Sequence, residues 1–168
     1  LGKVHRKKGY QIPEAGRTAK GTNIVNILPL EPGETVTAGI TVHEFDDDNL
    51  MFVTKQGTVK RVLLSSLNTA RKAGIRALTL NEGDELIAVM KTNGENNILL
   101  ATRDGFAICF NESDVRVMGR DAAGVKGITL LDGDEVVGAG IAEPGKQLLT
   151  VTELGYGKGD FVPDLTVN

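Results

Sequence analysis

The chain has no tryptophan, one cysteine, two histidines and, among 168 residues, only five phenylalanines and two tyrosines. Each scarcity excludes something. A lone thiol, Cys109, cannot close an internal disulfide, and its place in the strand-like run Phe106 to Phe110 fits a small buried hydrophobe in a reducing, cytoplasmic setting. His5 and His43 beside a single cysteine do not make up a tetrahedral zinc set, so a structural metal is not expected. So few aromatic rings disfavour a reader of single-stranded bases, and Phe52, Phe106 and Phe110 fall at strand positions where core packing is the expected use. Apolar runs such as Ile98 to Ala101 are far shorter than the roughly 20 residues a bilayer-spanning helix requires. The chain begins at Leu1 without the basic, apolar and small-residue order of a secretory signal, and reads as cut from a longer protein.

Catalytic constellations are also missing. Gly119 to Lys126 approaches a phosphate loop but reads Gly-x4-Gly-Val-Lys-Gly, without the Gly-Lys-Ser/Thr order that places a lysine and a magnesium-binding hydroxyl. Asp46-Asp47-Asp48 lacks the spaced ligands and distal glutamate of a calcium loop and fits an acidic hairpin connection. Neither histidine stands near a nucleophile elbow. The expectation is a chain with no catalytic residues, no cofactor of its own and no small-molecule substrate.

Charge is where the sequence becomes informative. The formal net charge is −3, which by itself argues against a polyanionic partner. Its distribution argues the other way. Residues 1–20 hold Lys3, Arg6, Lys7, Lys8, Arg17 and Lys20 against Glu14 alone, and residues 55–76 hold Lys55, Lys60, Arg61, Arg71, Lys72 and Arg76 with no acid. The acids gather instead in Asp46 to Asp48, around Glu82, Asp84 and Glu85, and around Asp132, Asp134 and Glu135, so opposite signs could occupy opposite rims. Ordinary solvated charge is the alternative.

A fixed period organises these blocks. Gly33, Gly83 and Gly133, each in an acidic turn, recur at a spacing of fifty. A second marker repeats with it: Thr54-Lys55-Gln56-Gly57, Thr102-Arg103-Asp104-Gly105 and Thr152-Glu153-Leu154-Gly155 each follow an apolar run. Leu50 to Thr54, a turn, and Thr58 to Val62 describe a hairpin, with Leu63 to Thr69 able to form one helical turn. Then come a loop rich in Gly and Arg, a short apolar stretch (Ile75 to Leu80; Val125 to Leu131), the acidic turn, and another strand (Glu85 to Met90; Glu135 to Ala139). Units of about four short strands imply an all-β, propeller-like repeat, with a β-solenoid as the architectural alternative. The units run about 1–45, 46–94 and 95–142, with the start of a further one at 143–168. About three blades fit, short of the roughly four to eight of closed propellers.

The run Arg116-Val117-Met118-Gly119-Arg120-Asp121-Ala122-Ala123-Gly124-Val125-Lys126-Gly127-Ile128 resembles a blade loop of the DNA gyrase A C-terminal domain. Tyr10 to Gly21 is similar to the equivalent loop of an earlier blade, and Leu149 to Lys158 to the opening of a later one. The resemblance covers roughly residues 2–158. It implies a six-bladed β-pinwheel whose rim wraps double-stranded DNA without reading its sequence, in a bacterial, cytoplasmic, nucleoid-associated type II topoisomerase. Its partners would be DNA, the rest of gyrase A, and gyrase B, with ATP and magnesium used elsewhere in the holoenzyme to drive negative supercoiling. The heptapeptide Gln-Arg-Arg-Gly-Gly-Lys/Arg-Gly of the family's first blade is absent, and after Lys158 the chain departs from the family's Arg-Thr. The expected phosphate contacts are Lys60 and Arg61 leaving the first hairpin, Arg71, Lys72 and Arg76 in the loop after it, and Arg17, Lys20, Arg120 and Lys126 in equivalent loops. Adjacent glycines would admit phosphates close to the backbone. A topoisomerase IV C-terminal domain and a propeller-like protein-interaction scaffold without DNA binding are the other readings.

Overall fold

A computed structural model describes residues 2–71 and 73–161, the side chains of Asp160 and Phe161 excepted. The described chain is all-β, with short 3-10 turns and no α-helix. The strands are β1 (Lys3–Val4), β2 (Asn49–Thr54), β3 (Thr58–Leu63), β4 (Ile75–Arg76), β5 (Leu86–Thr92), β6 (Asn97–Thr102), β7 (Ala107–Asn111), β8 (Val125–Lys126), β9 (Val136–Ala142), β10 (Gln147–Val151) and β11 (Gly157–Phe161).

The hairpins follow from the repeated Thr-x-x-Gly. In each, the glycine sits at positive φ (82° at Gly57, 89° at Gly105, 85° at Gly155), where a Cβ would be strained. The glycine amide bonds back to the threonine carbonyl, and the amide one residue later donates to the threonine hydroxyl (Thr58 to Thr54 Oγ1 3.1 Å, Phe106 to Thr102 3.1 Å, Tyr156 to Thr152 3.2 Å). The acidic turn locks the hairpin from outside. Asp84 accepts from the amides of Gln56 and Glu85, both at 2.9 Å, and Asp134 from those of Asp104 (3.0 Å) and Glu135 (2.8 Å). Much of the acidity flagged by the sequence therefore holds turns.

Sheet order shows how units join. One sheet runs β5-β2-β3-β8, so three strands come from one unit and the fourth, β8, from the next. In the same way β4 leaves its own unit and pairs with β1. Lys3 faces Arg76 across that pair and Thr58 faces Lys126 across β3–β8, which makes the two exchanges equivalent. The sequence reading counted the short apolar stretch Ile75 to Leu80 with the strands of its own unit. Two residues of it form a strand, and they belong to the preceding hairpin's sheet.

Side chains of the central strand β2 alternate between two cores, which is why its sequence is continuously apolar rather than alternating. Leu50 and Phe52 pack with Val62, Leu64, Leu67, Ile75 and Leu78, with Val4, Ile40 and Phe45 of the first unit against them. Met51 and Val53 pack on the other side with Ile98, Leu100, Phe110, Val115 and Val136 of the next unit. Leu99, Cys109 and Ala142 carry the stacking on toward Leu148 of β10. Cys109 is buried, and loss of solvent pushes its thiol up from the usual cysteine range. Each large side chain so buried contributes about 1.5–3 kcal/mol. Phe106 is a correction: it is 54% exposed, because among the described residues no strand covers the outer edge of β7.

Candidate nucleic-acid interface

Cations in the chain fall into two sets, separated by whether the fold has already used them. Lys60 and Arg61, expected at the rim, belong to the used set. Lys60 has no exposed surface, and its Nζ donates to the carbonyls of Ala77 (2.8 Å) and Arg120 (2.6 Å), which lie in successive units. Burial pushes its ammonium below the usual lysine range, with Asp121 acting in the opposite direction. Arg61 is nearly buried, donates to the Glu112 carbonyl at 3.0 Å and stands 3.8 Å from its carboxylate. Both are ties between units, and neither is open to a phosphate. The sequence misleads here because a charged pair on a strand looks solvent-facing until β8 and the segment before it cover that edge.

Glu112, which the sequence reading passed over, is the other half of this junction. It is fully buried and accepts from the Thr92 hydroxyl (2.5 Å) and from the amides of Gly94 (2.8 Å) and Asn96 (2.9 Å). Three donors plus a guanidinium compensate the carboxylate for lost water. Leu64 stands at the equivalent place one unit earlier, its amide bonded to Asp48 as that of Glu112 is to Asn96. The repeat therefore gave no signal for it.

Other used cations pair with acids. Lys55 bridges Glu85 (3.8 Å) and Glu135 (3.3 Å), Lys91 meets Asp48 at 2.7 Å and Asp46 at 3.6 Å, and Lys3 meets Glu31 at 2.7 Å and Glu34 at 3.4 Å. Arg103 is held by the Gly133 carbonyl, Asp104 and Glu135.

Arg17, Lys20, Arg71, Arg76, Arg120 and Lys126 belong to the unused set, being exposed with no ion pair or side-chain hydrogen bond among the described residues, and Lys7 and Lys8 of the N-terminal run are likewise exposed without an ion pair. Lys72 lies outside those residues. Arg116, which the sequence reading did not select, is exposed in the same segment as Arg120 and equally unpaired. Arg76 and Lys126 occupy the same position of the exchanged strands β4 and β8. The segment carrying Arg116, Arg120 and Lys126 runs along the outer edge of β3, held by the Met118 amide on the Arg61 carbonyl and the Gly127 amide on the Gly57 carbonyl, both at 2.8 Å.

The glycines of these segments have a different use from the one expected. A Cβ on Gly124 would stand 2.7 Å from the Val59 carbonyl oxygen, on Gly74 2.7 Å from that of Val4, and on Gly127 2.5 Å from the Val59 side chain. They admit the neighbouring strand rather than a phosphate. Only Gly16, Gly21 and Gly119 among the glycines singled out beside the cations have open space around them.

The family model of the DNA gyrase C-terminal domain, a beta-propeller, matches residues 2–43, 48–93 and 96–143. The chain belongs to that family. DNA gyrase A of Lawsonia intracellularis is 48% identical over 94% of the chain, and that of Halalkalibacterium halodurans 52% identical over 76%. The chain spans 20% and 16% of the length of these curated relatives. Among solved structures, the C-terminal domain of DNA topoisomerase IV superposes with a TM-score of 0.86 at 28% identity, covering 95% of this chain and 50% of that one. A DNA gyrase A C-terminal domain superposes with a TM-score of 0.83 at 26% identity, covering 99% and 54%. The three matched segments each carry exposed cations without ion pairs among the described residues: Arg17 and Lys20, Arg71 and Arg76, Arg120 and Lys126.

Proposed function

We propose that this chain is a double-stranded-DNA-binding and wrapping module of a gyrase A protein, acting without sequence preference and supporting ATP-dependent negative supercoiling by the holoenzyme. The observation that carries the reading is that the equivalent segment of each unit carries exposed, unpaired cations while most other cations are engaged by acids or carbonyls. Spaced cations on a repeating edge neutralise phosphates and release counterions, which gives affinity without base contacts. Bending a duplex over 20–30 base pairs costs on the order of 1–6 kcal/mol, so several units must share the work. The rest of gyrase A, together with gyrase B, would supply strand passage and ATP chemistry in the bacterial cytoplasm.

Ligation of nicked circular DNA in the presence of the protein tests wrapping directly. A linking-number change that grows with protein concentration and fades with salt is expected. Circles ligated without any change, together with no salt-sensitive gel retardation, would overturn the reading in favour of a protein-interaction scaffold.

A further inference from the structure

We infer that Lys60 is a positioning residue for the DNA-facing segment of the next unit: from inside the junction it fixes the backbone at Arg120 and so sets where Arg120 and Lys126 stand. This rests on the DNA-binding reading above.

Packing alone gives no reason for a lysine at this place. Counting from the hairpin glycine, His5 and Ile108 occupy the equivalent positions of neighbouring units. Neither neighbouring unit has a lysine there. What lysine adds is a donor long enough to reach across the sheet edge. It holds the Ala77 carbonyl of its own unit at 2.8 Å and the Arg120 carbonyl of the next at 2.6 Å. No carboxylate lies within ion-pair distance of Nζ among the described residues, so a buried ammonium is solvated by these carbonyls and a more distant Asp121.

The segment it grips is tied to β3 at both ends, through Met118 on Arg61 and through the Val125–Lys126 pairing followed by Gly127 on Gly57. Between those ends Ala122 packs against the core, and Lys60 donates the hydrogen bond that links the Gly119 to Gly124 stretch to β3 at Arg120. Gly119 has nothing within 4 Å of where a Cβ would sit, and its carbonyl accepts from the Ala122 amide at 3.2 Å. Removing the Lys60 donor frees the stretch that presents Arg120 while leaving the pairing on either side in place.

The test measures duplex affinity against salt for the wild-type chain, Lys60→Met, Arg120→Ala and the double variant, using a linear mixed-sequence duplex and thermal melting as the control for folding. Lys60→Gln, which keeps a shorter donor, is measured in parallel and carries the test if Lys60→Met does not fold. Each phosphate contact contributes about 0.9 to the slope of log affinity on log salt. The expected result is that Lys60→Met and Arg120→Ala each lower the slope by about 0.9, that the double variant falls no further, and that Lys60→Gln lies between wild type and Lys60→Met. A wild-type slope in a folded Lys60→Met, or additive losses in the double variant, would make Lys60 a packing residue and overturn the inference. Failure of both Lys60 variants to fold would do the same. If the wild-type chain itself shows no salt-dependent retention, the DNA-binding reading fails first and this inference with it.

Discussion

Residues 5–48 and residues 49–142 match the same family model, yet they look different. The later stretch builds stacked blades with buried strands. The earlier one is mostly exposed, and its regular structure is limited to the 3-10 turns Gly9–Gln11 and Ile24–Asn26. Local chemistry does not explain the contrast, since the acidic turn at Gly33 still forms, with the Glu34 amide on the Glu31 carbonyl at 3.0 Å. The neighbour does. Gly124 is closed in by the Val59 carbonyl and Gly74 by that of Val4, while around Gly21, at φ 71°, nothing lies within 4 Å. Among the described residues no hairpin pairs with the segment at Gly21. A unit of this repeat is ordered by the hairpin that precedes it, as expected where stability resides in interfaces between repeats.

The junction between the two complete units should therefore be the most sensitive place in the molecule. Glu112→Ala leaves three donors and the Arg61 guanidinium without their buried acceptor. A loss of about 3–5 kcal/mol in urea unfolding is expected, as for removing one partner of a buried ion pair. A loss below about 1 kcal/mol would mean that water replaces the carboxylate and that the junction is not sealed.

Next comes the pair Gly124→Ala and Gly21→Ala. Both positions are left-handed, a backbone cost of about 1–2 kcal/mol for alanine. At Gly124 the new Cβ also meets the Val59 carbonyl, so that variant should lose distinctly more, at least about 2 kcal/mol, while Gly21→Ala stays near the backbone cost alone. Equal losses would break the contrast between a filled and an open exchange position.

A smaller effect is expected from pH. Partial burial pushes the Asp134 carboxyl up, but the Thr102 hydroxyl, the amides of Asp104 and Glu135, and Arg103 outweigh it and hold the group below the usual aspartate value of 3.8. A carboxylate with a lowered folded pKa contributes stability that is fully present above the unfolded value and lost as pH falls through the folded one. Melting temperature of the wild type should thus drop on acidification below about pH 4 more steeply than that of Asp134→Asn. Parallel acid limbs would remove Asp134 from the account of how the turn is held.

What the sequence made legible was whatever depended on local chemistry. The Thr-x-x-Gly hairpins and the acidic turns stood out because their hydrogen bonds close within a few residues and glycine is needed at positive φ. The destination of β4 and β8 did not, since a two-residue strand reads the same whether it stays in its unit or crosses to the next. That one non-local fact accounts for the misassigned cations: β8 and the residues before it turn Lys60 and Arg61 from rim residues into ties. It also explains why the glycines of these segments were read as phosphate cradles. Arg76, Arg120 and Lys126 are exposed, as charged side chains on a loop or an edge strand are expected to be.

The division of cations into engaged and unengaged sets is the central claim, and the salt dependence of duplex binding tests it most directly. Arg76→Ala/Arg120→Ala/Lys126→Ala, with three exposed cations removed, should lower the slope of log affinity on log salt by about 2.7. Lys55→Ala/Arg103→Ala, which removes cations held by Glu85, Glu135 and Asp104, should leave that slope within about 0.5 of wild type. Equal falls in the two variants would contradict the claim, because DNA would then be sensing total charge rather than the cations that the fold leaves free.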